Sequence, residues 1–163
     1  MNVKTAELTH TGGMHFDVTT GSGRAFAYDD PVDGGLGPLE TALTTLAGCS
    51  AMDVVSIAGK KRQVVTAYRI HVRGHQRDEY PQIYTRIDVT HEVEGPNVTE
   101  AAIRRSIELS ATKYCPVNAM LSGGPTEVHH GYVVRNTGDA PFEVSGEVIV
   151  TGPYWRPAAV PSD

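Results

Sequence analysis

Residues 38–57 read PLETALTTLAGCSAMDVVSI, and this segment sets what the rest of the chain must pack around. Its apolar and small residues recur at steps of three or four, which predicts a helix that begins at Gly37-Pro38, where proline suits the first turn. The recurring positions are Leu39, Leu43, Leu46, Ser50, Val54 and Ile57. Alanines extend the apolar surface around the cylinder, so we expect a helix that is buried on most sides and ends near Gly59 to Arg62.

Strand patterns lie on both sides of this helix. Before it, within residues 1–36, three short alternating segments are separated by glycine-rich turns, which predicts a three-stranded meander. After it, apolar and polar residues alternate around Tyr68 to Val72 and again around Ile83 to Val93. These two segments are therefore expected to be strands.

A second helix is predicted between Asn97 and about Tyr114. Asn97 followed by Glu100 resembles a capping box. The Cys115-Pro116 pair must then break the helix, because proline removes a backbone donor and clashes with the preceding turn. A shorter helix is expected to continue from Val117.

The last part of the chain returns to strands. Val128 to Arg135 and Phe142 to Thr151 flank a turn, which predicts a hairpin, and a proline-rich tail follows from Gly152 to Asp163. The whole pattern indicates one α+β domain over residues 1–163. We expect its central part, 37–122, to carry both helices and the intervening strands, and its last part, 123–163, to form the hairpin and tail.

Composition restricts the functional classes. The chain has 163 residues with 40% hydrophobic and 20% charged side chains, which is typical of a soluble globular protein. Its net charge is −5 and it lacks a dense basic patch, so no nucleic-acid partner is expected. The first residues carry neither a basic nor an apolar signal region, and no run reaches the roughly 20 apolar residues of a membrane span. We therefore predict a cytoplasmic protein without a membrane partner.

The two cysteines are the candidate chemistry. Cys49 shares a helix face with Leu46 and Asp53, and Cys115 lies on the inward stripe of the second helix at the Pro116 break, where free backbone groups can stabilise a thiolate. Buried cysteines are often inert, small apolar residues. In a reducing cytosol, however, two thiols on the inward faces of separate helices can also form a redox pair, in which one becomes a sulfenic acid and the other condenses with it.

Two motifs resemble those of the OsmC/organic hydroperoxide resistance family. Gly37-Pro38-Leu39-Glu40, continuing through Leu46-Ala47-Gly48-Cys49 to Asp53-Val54-Val55, is similar to the family's first-cysteine helix, and the segment from Tyr114 to Leu121 is similar to its second-cysteine segment. The fit is best to the less characterised OsmC-like branch. The resemblance implies an OsmC-like fold in which antiparallel sheets wrap two central helices in an intertwined homodimer.

The resemblance also implies an activity. It implies reduction of organic hydroperoxides or hydrogen peroxide, with Cys49 as nucleophile, Cys115 as resolving thiol and a small or lipoyl-type dithiol as reductant. Glu40 and Arg24 are the possible supporting acid and cation that it suggests. On a straight helix, Glu40 and Cys49 lie roughly 180° apart, so this pairing would need a distorted first turn.

Other site types have little support in the sequence. His129 and His130 are adjacent, so on a strand they face opposite sides, and His71 and His75 lie in a strand and turn, where this spacing separates them. We therefore predict no metal, and the sequence indicates no organic cofactor. A nucleophile elbow and a phosphate loop are also missing. The main alternative is a non-catalytic OsmC-like dimer that binds a small apolar molecule or senses oxidation; the remaining one is a structural dimer.

Overall fold

The computed structural model describes residues 2–153 and 156–157. The chain forms two compact units, Met1–Ala42 and Leu43–Asp163. The assignment of one domain to the whole chain stays a prediction. Residues 154, 155 and 158–163 of the predicted tail lie outside the described residues.

The first unit contains the predicted three-stranded meander. Strands β1 (Ala6–Gly12), β2 (His15–Thr20) and β3 (Ala25–Tyr28) pair antiparallel in the order β1-β2-β3. Val18 on β2 is the buried hydrophobic residue of this sheet, at 3% exposure. The Asp- and Gly-rich segment that follows contains a short 3₁₀ turn, Pro31–Asp33, whose start is capped by the Asp30 carboxylate.

Helix α1 spans Pro38–Lys60, as predicted. The expectation that it is buried on most sides is wrong for the single chain. Its buried residues are Leu46, Ser50, Val54 and Ala58. These lie four apart and so form one line along the helix. On another face, Met52 is 76% exposed and Val55 is 47% exposed. Helix α1 therefore carries apolar side chains that the rest of its own chain does not cover.

Helix α1 is also long and apolar enough to cross a membrane, judged by length and composition alone. One helix of this kind is weak grounds for a membrane span, because the core helix of a soluble protein has the same composition. Its buried line includes Ser50, which hydrogen-bonds a side chain of another helix. A buried hydrogen bond to another helix is typical of a helix that packs against the rest of its own protein.

The second unit is built on a five-stranded sheet in the order β4-β5-β6-β7-β8. The strands are β4 (Ala67–Gln76), β5 (Tyr84–Gly95), β6 (Glu127–Asn136), β7 (Phe142–Thr151) and β8 (Arg156–Pro157). The α+β class and the hairpin of β6 and β7 are confirmed. The sheet is not purely antiparallel as predicted, because β5 and β6 pair parallel. The reason is that the helices between them form a crossover connection, which returns the chain to the same end of the sheet.

This crossover begins with helix α2 (Glu100–Leu109). The predicted cap at Asn97 is wrong: Thr99 is the N-cap, and its hydroxyl accepts a hydrogen bond from the Ala102 amide. The Asn97 side chain instead donates to the Arg62 carbonyl. A π-helical turn, Ser110–Tyr114, follows α2, and helix α3 (Pro116–Ser122) begins at the predicted proline break.

Buried side chains of the second unit form two clusters. The larger cluster joins the end of α1 to α2 and the β6–β7 hairpin, and contains Val54, Ala58, Ile103, Ile107, Val134 and Ile149 among others. The smaller cluster consists of Leu46, Tyr84, Ile87, Val89, Cys115 and Val128, with Cys49 packed against it. The second cluster therefore gives both cysteines apolar surroundings.

Replacement of Gly95 tests the packing at the end of β5. A Cβ atom at this position would lie 1.8 Å from the carbonyl oxygen of Val64, so the backbone must shift to admit it. We expect Gly95→Ala to lower the free energy of unfolding by about 1–3 kcal/mol, measured by urea denaturation. As a matched control, Gly124→Ala adds a Cβ in open space and should change stability by less than about 0.5 kcal/mol. Equal stabilities of the two variants would contradict this packing.

Candidate redox site

The structure brings the two predicted cysteines together. The thiol of Cys115 donates a hydrogen bond to the sulfur of Cys49 across 2.7 Å, although 66 residues separate them in sequence. Both are free thiols; Cys49 is half-buried and Cys115 is buried. A disulfide has an S–S bond of about 2.05 Å, so the sulfurs need to approach by less than about 1 Å to bond. The two sulfurs therefore lie close to the distance at which a disulfide forms.

The position of Cys115 results from the end of the second helix. The turn after α2 is widened to π geometry, and the backbone N–H of Cys115 donates to the Ser110 carbonyl at 2.9 Å. Cys115 then adopts an extended conformation and is followed by Pro116 at the first position of α3. The proline break was predicted, but the π turn was not, because no residue pattern in this segment distinguishes it from an α-helix. Wide turns of this kind are frequent at functional sites.

The sulfur of Cys115 is also the cap of α3. It accepts a hydrogen bond from the backbone N–H of Asn118 at 3.3 Å, the interaction that a serine or threonine hydroxyl makes at a helix start. This contact supports the expectation that the proline break leaves backbone donors for a thiolate. The second-cysteine segment thus fixes the sulfur from both sides, through its own backbone and through the first turn of α3.

The electrostatics of the pair are asymmetric. Burial and, to a smaller extent, the hydrogen bond to Cys49 together raise the pKa of Cys115 to about 12, while the amide of Asn118 opposes both effects. Cys115 therefore keeps its proton at neutral pH and uses it for the hydrogen bond to Cys49. Cys49 accepts this hydrogen bond and is the more accessible of the two sulfurs.

Polar side chains from α1 and the π turn adjoin the thiols. The hydroxyl of Ser110 donates to a carboxylate oxygen of Asp53 at 3.0 Å and lies 3.3 Å from the hydroxyl of Ser50. Asp53 follows Cys49 by one helical turn, as the sequence pattern indicated. Ser110 and Asn118 were not predicted as site residues; their only signal in the sequence is their distance from Cys115, five residues before it and three after it.

Three of these groups are close enough to share a metal ion. Ligand atoms of Cys49, Asp53 and Cys115 lie within 4.8 Å of one another. Two thiolates and a carboxylate would suit zinc. In this structure, however, Cys115 is a hydrogen-bond donor to Cys49, which is the arrangement of a thiol pair. The expectation of no metal site stays a prediction.

The histidines that could have formed a metal site are engaged elsewhere. His71 lies 3.1 Å from the Glu92 carboxylate, and His75 lies 2.8 Å from that of Asp88. His129 and His130 alternate between the two faces of β6, as predicted: His130 is fully buried and His129 pairs with Glu127.

The two supporting residues suggested by the family resemblance belong to the first unit. Arg24 lies at the turn before β3, where its backbone amide donates to the Thr20 hydroxyl. Glu40 lies in the first turn of α1, where an acidic side chain interacts favourably with the helix dipole. Both are exposed. A role of either at the thiols stays a prediction.

Comparison with known proteins identifies the family. The OsmC-like protein family model matches residues 31–130. Protein YhfA of Escherichia coli (strain K12) is 36% identical over 130 residues, which cover 79% of this chain and 96% of that protein. The matched region contains both cysteines.

Solved structures share the fold. A hypothetical protein from Aquifex aeolicus VF5 superposes with a TM-score of 0.76 at 32% identity, over 83% of this chain and 98% of that one. An organic hydroperoxide resistance protein from Elizabethkingia anophelis superposes with a TM-score of 0.60, over 84% of this chain and 98% of that one; at 14% identity this likeness shows the fold alone. The family match, the 36% identical relative and the shared fold together show that the chain belongs to the OsmC-like protein family.

Proposed function

We propose that the protein is a thiol-dependent peroxidase that reduces organic hydroperoxides or hydrogen peroxide through Cys49 and Cys115. The observation that carries this proposal is the 2.7 Å contact in which the buried thiol of Cys115 donates to the sulfur of Cys49. A nucleophile that can take negative charge thus lies beside a second thiol that can trap its oxidised form. The resemblance of the two cysteine segments to the OsmC/organic hydroperoxide resistance family supports the same chemistry.

In the first step, Cys49 reduces the peroxide. Its thiolate attacks one peroxide oxygen, the S–O bond forms as the O–O bond breaks, and the alcohol leaves after the alkoxide takes a proton from water. Cys49 becomes a sulfenic acid and the peroxide is reduced by two electrons. The protonated neighbour Cys115 assists by donating to the Cys49 sulfur, which stabilises its negative charge before the attack.

In the second step, Cys115 resolves the sulfenic acid. Its sulfur attacks that of Cys49, the S–S bond forms, and water leaves with the sulfenic oxygen and the proton of Cys115. The carboxylate of Asp53, near both sulfurs, is the group that we assign to take this proton from Cys115 and pass it to the departing oxygen. A small or lipoyl-type dithiol then reduces the disulfide by thiol exchange and is itself oxidised to a disulfide.

The proposal includes an activating cation. A positive neighbour stabilises a thiolate. The family resemblance suggests Arg24 as this cation and Glu40 as an acid that supports it. Arg24 would stabilise the thiolate of Cys49, and Glu40 would orient the guanidinium. Both roles belong to the proposal.

The proposed assembly is a homodimer in the cytoplasm. Helix α1 leaves Met52 and Val55 exposed on a face that its own chain does not cover. Burial of such side chains releases about 1.5–3 kcal/mol each, so a second copy of this helix face is the partner of matching chemistry. The intertwined arrangement that the family resemblance implies would provide it.

Oxidation with a single equivalent of peroxide tests the chemistry. We expect cumene hydroperoxide to remove two hydrogens from the intact mass of the reduced protein, with the loss mapped to a Cys49–Cys115 bond and reversed by dihydrolipoamide. Cys49→Ser should abolish peroxide consumption. With excess peroxide, Cys115→Ser should allow one turnover and then over-oxidation to a sulfinic acid. Because serine differs from cysteine by one atom, each variant serves as a control for the folding of the other.

Two results would contradict these roles. Equal residual activity in the two variants would show that the cysteines are not a nucleophile and a resolving thiol. An unchanged mass with both thiols free would favour the non-catalytic dimer that binds a small apolar molecule.

Alkylation of the reduced protein tests the asymmetry of the pair. Because burial raises the pKa of Cys115, little of it is thiolate at neutral pH, and each pKa unit above the solution pH lowers the reactive fraction about tenfold. We therefore expect limiting iodoacetamide to label Cys49 almost alone, as read by peptide mass spectrometry. The preference should disappear in denaturing urea, which serves as the control. Preferential labelling of Cys115 in the folded protein would reverse the assignment.

A charge on the exposed face of α1 tests the dimer. We expect the native mass to be about twice the chain mass of 17.5 kDa, and Met52→Glu to shift it toward the monomer, because a carboxylate buried between two helices loses its hydration. Sedimentation equilibrium over a range of concentrations provides the measurement. Val32→Glu introduces the same charge at a residue that is 89% exposed and outside α1, and should leave the mass unchanged. A wild-type monomer would remove the dimer from the proposal.

A further inference from the structure

A chain of hydrogen-bonded polar side chains, half-buried at Tyr68 and buried beyond it, leads through the second unit toward Cys115. The hydroxyl of Tyr68 lies 2.5 Å from Nδ1 of His91, and Nε2 of His91 lies 3.4 Å from Nδ1 of His130. Nε2 of His130 lies 3.0 Å from the side-chain oxygen of Asn118, whose backbone N–H donates to the sulfur of Cys115. Four residues from β4, β5, β6 and α3 thus connect to the thiol that the proposed function calls resolving, the last of them through its backbone N–H.

The chemistry of the partners fixes the direction of every hydrogen bond. The Asn118 oxygen only accepts, so His130 carries its proton on Nε2 and accepts on Nδ1. His91 then donates from Nε2 and accepts from the Tyr68 hydroxyl on Nδ1. Burial raises the pKa of Tyr68 and lowers those of His91 and His130 to about 3 and about 4, so all three are neutral at physiological pH. The imidazoles therefore act as fixed donors and acceptors.

The side chain of Asn118 is held at every polar atom. Its oxygen accepts from His130, and its amide nitrogen donates to the Ala111 carbonyl at 2.8 Å and to the Thr151 hydroxyl at 3.0 Å. Asn118 is 1% exposed. Ala111 belongs to the π turn that precedes Cys115, so Asn118 ties the segments before and after the cysteine to each other and to the sheet.

We propose that Asn118, oriented by His130, is a positioning residue that holds the sulfur of Cys115 against Cys49 for disulfide closure. This inference rests on the proposed function and goes beyond it by separating closure from the peroxide step. Asn118 touches the resolving thiol through its backbone N–H only. Loss of its side-chain contacts should therefore slow the second step far more than it slows oxidation of Cys49.

The test measures the fate of Cys49 after excess peroxide. In the wild-type protein, closure competes with over-oxidation, and intact mass distinguishes loss of two hydrogens from gain of two oxygens. We expect Asn118→Ala to close the disulfide about tenfold to a hundredfold more slowly, as a misplaced reacting group does, and to accumulate sulfinic acid on Cys49. The initial rate of peroxide consumption should fall much less than the rate of closure. Asn136→Ala is the control, because Asn136 also hydrogen-bonds the backbone at both ends of its amide, away from the thiols.

Two milder variants keep the inference open to test where Asn118→Ala does not fold. Thr151→Val removes one acceptor of Asn118 and keeps the side-chain shape, and it should slow closure in the same direction. His130→Gln retains a donor for the Asn118 oxygen and should restore closure relative to His130→Leu at equal thermal stability. A purely structural role would not produce this ordering in the partition between disulfide and sulfinic acid.

Closure driven by diamide, which oxidises dithiols without peroxide, separates this inference from the proposed function. If peroxide is not consumed but diamide closure still depends on Asn118 and His130, the positioning role stands without the peroxidase. Wild-type closure rates in folded Asn118→Ala and Thr151→Val, or an equal loss in Asn136→Ala, would overturn it.

Discussion

The site depends on how the second helix ends. Pro116 has no backbone N–H to continue the helix. Its ring would also clash with the preceding turn if that turn kept regular α geometry. The chain meets this constraint by widening the turn before Cys115, whose amide reaches back five residues to Ser110. Ser110 also donates to Asp53 on α1, so one residue anchors the turn and connects it to the first-cysteine helix. The 2.7 Å contact between the sulfurs follows from this junction.

Burial gives two chemically identical thiols different roles. Cys115 lies in the apolar second cluster, where ionisation is costly, and its remaining hydrogen-bonding capacity is used by Cys49 and the Asn118 amide. Cys49 is half-buried and receives the hydrogen bond. The protein thus holds Cys115 as a protonated donor beside Cys49, without a charged side chain at hydrogen-bonding distance from Cys115 among the described residues.

Features that follow from local periodicity could be predicted from the sequence. The bounds of α1, the meander, the β6–β7 hairpin and the break at Pro116 each arise from residue spacing or from proline. Features that depend on distant contacts could not. Thr99 replaces Asn97 as the helix cap because Asn97 is held by Arg62, far away in sequence. The π turn, the parallel pairing of β5 with β6 and the alignment of His91 with His130 need the assembled sheet. Arg24 and Glu40 rest on resemblance, and neither has a local pattern that would fix its role.

The exposed and buried faces of α1 meet at Cys49. At about 100° per residue, Met52 lies about 60° from Cys49 on one side of the helix and Leu46 lies about 60° from it on the other. Leu46 is fully buried and Met52 is 76% exposed, so Cys49 occupies the boundary between the core and the uncovered apolar face. A second copy placed on that face would form the outer wall of the approach to the sulfur. Association would then affect which peroxides reach Cys49, whereas the surroundings of Cys115 would still come from its own chain.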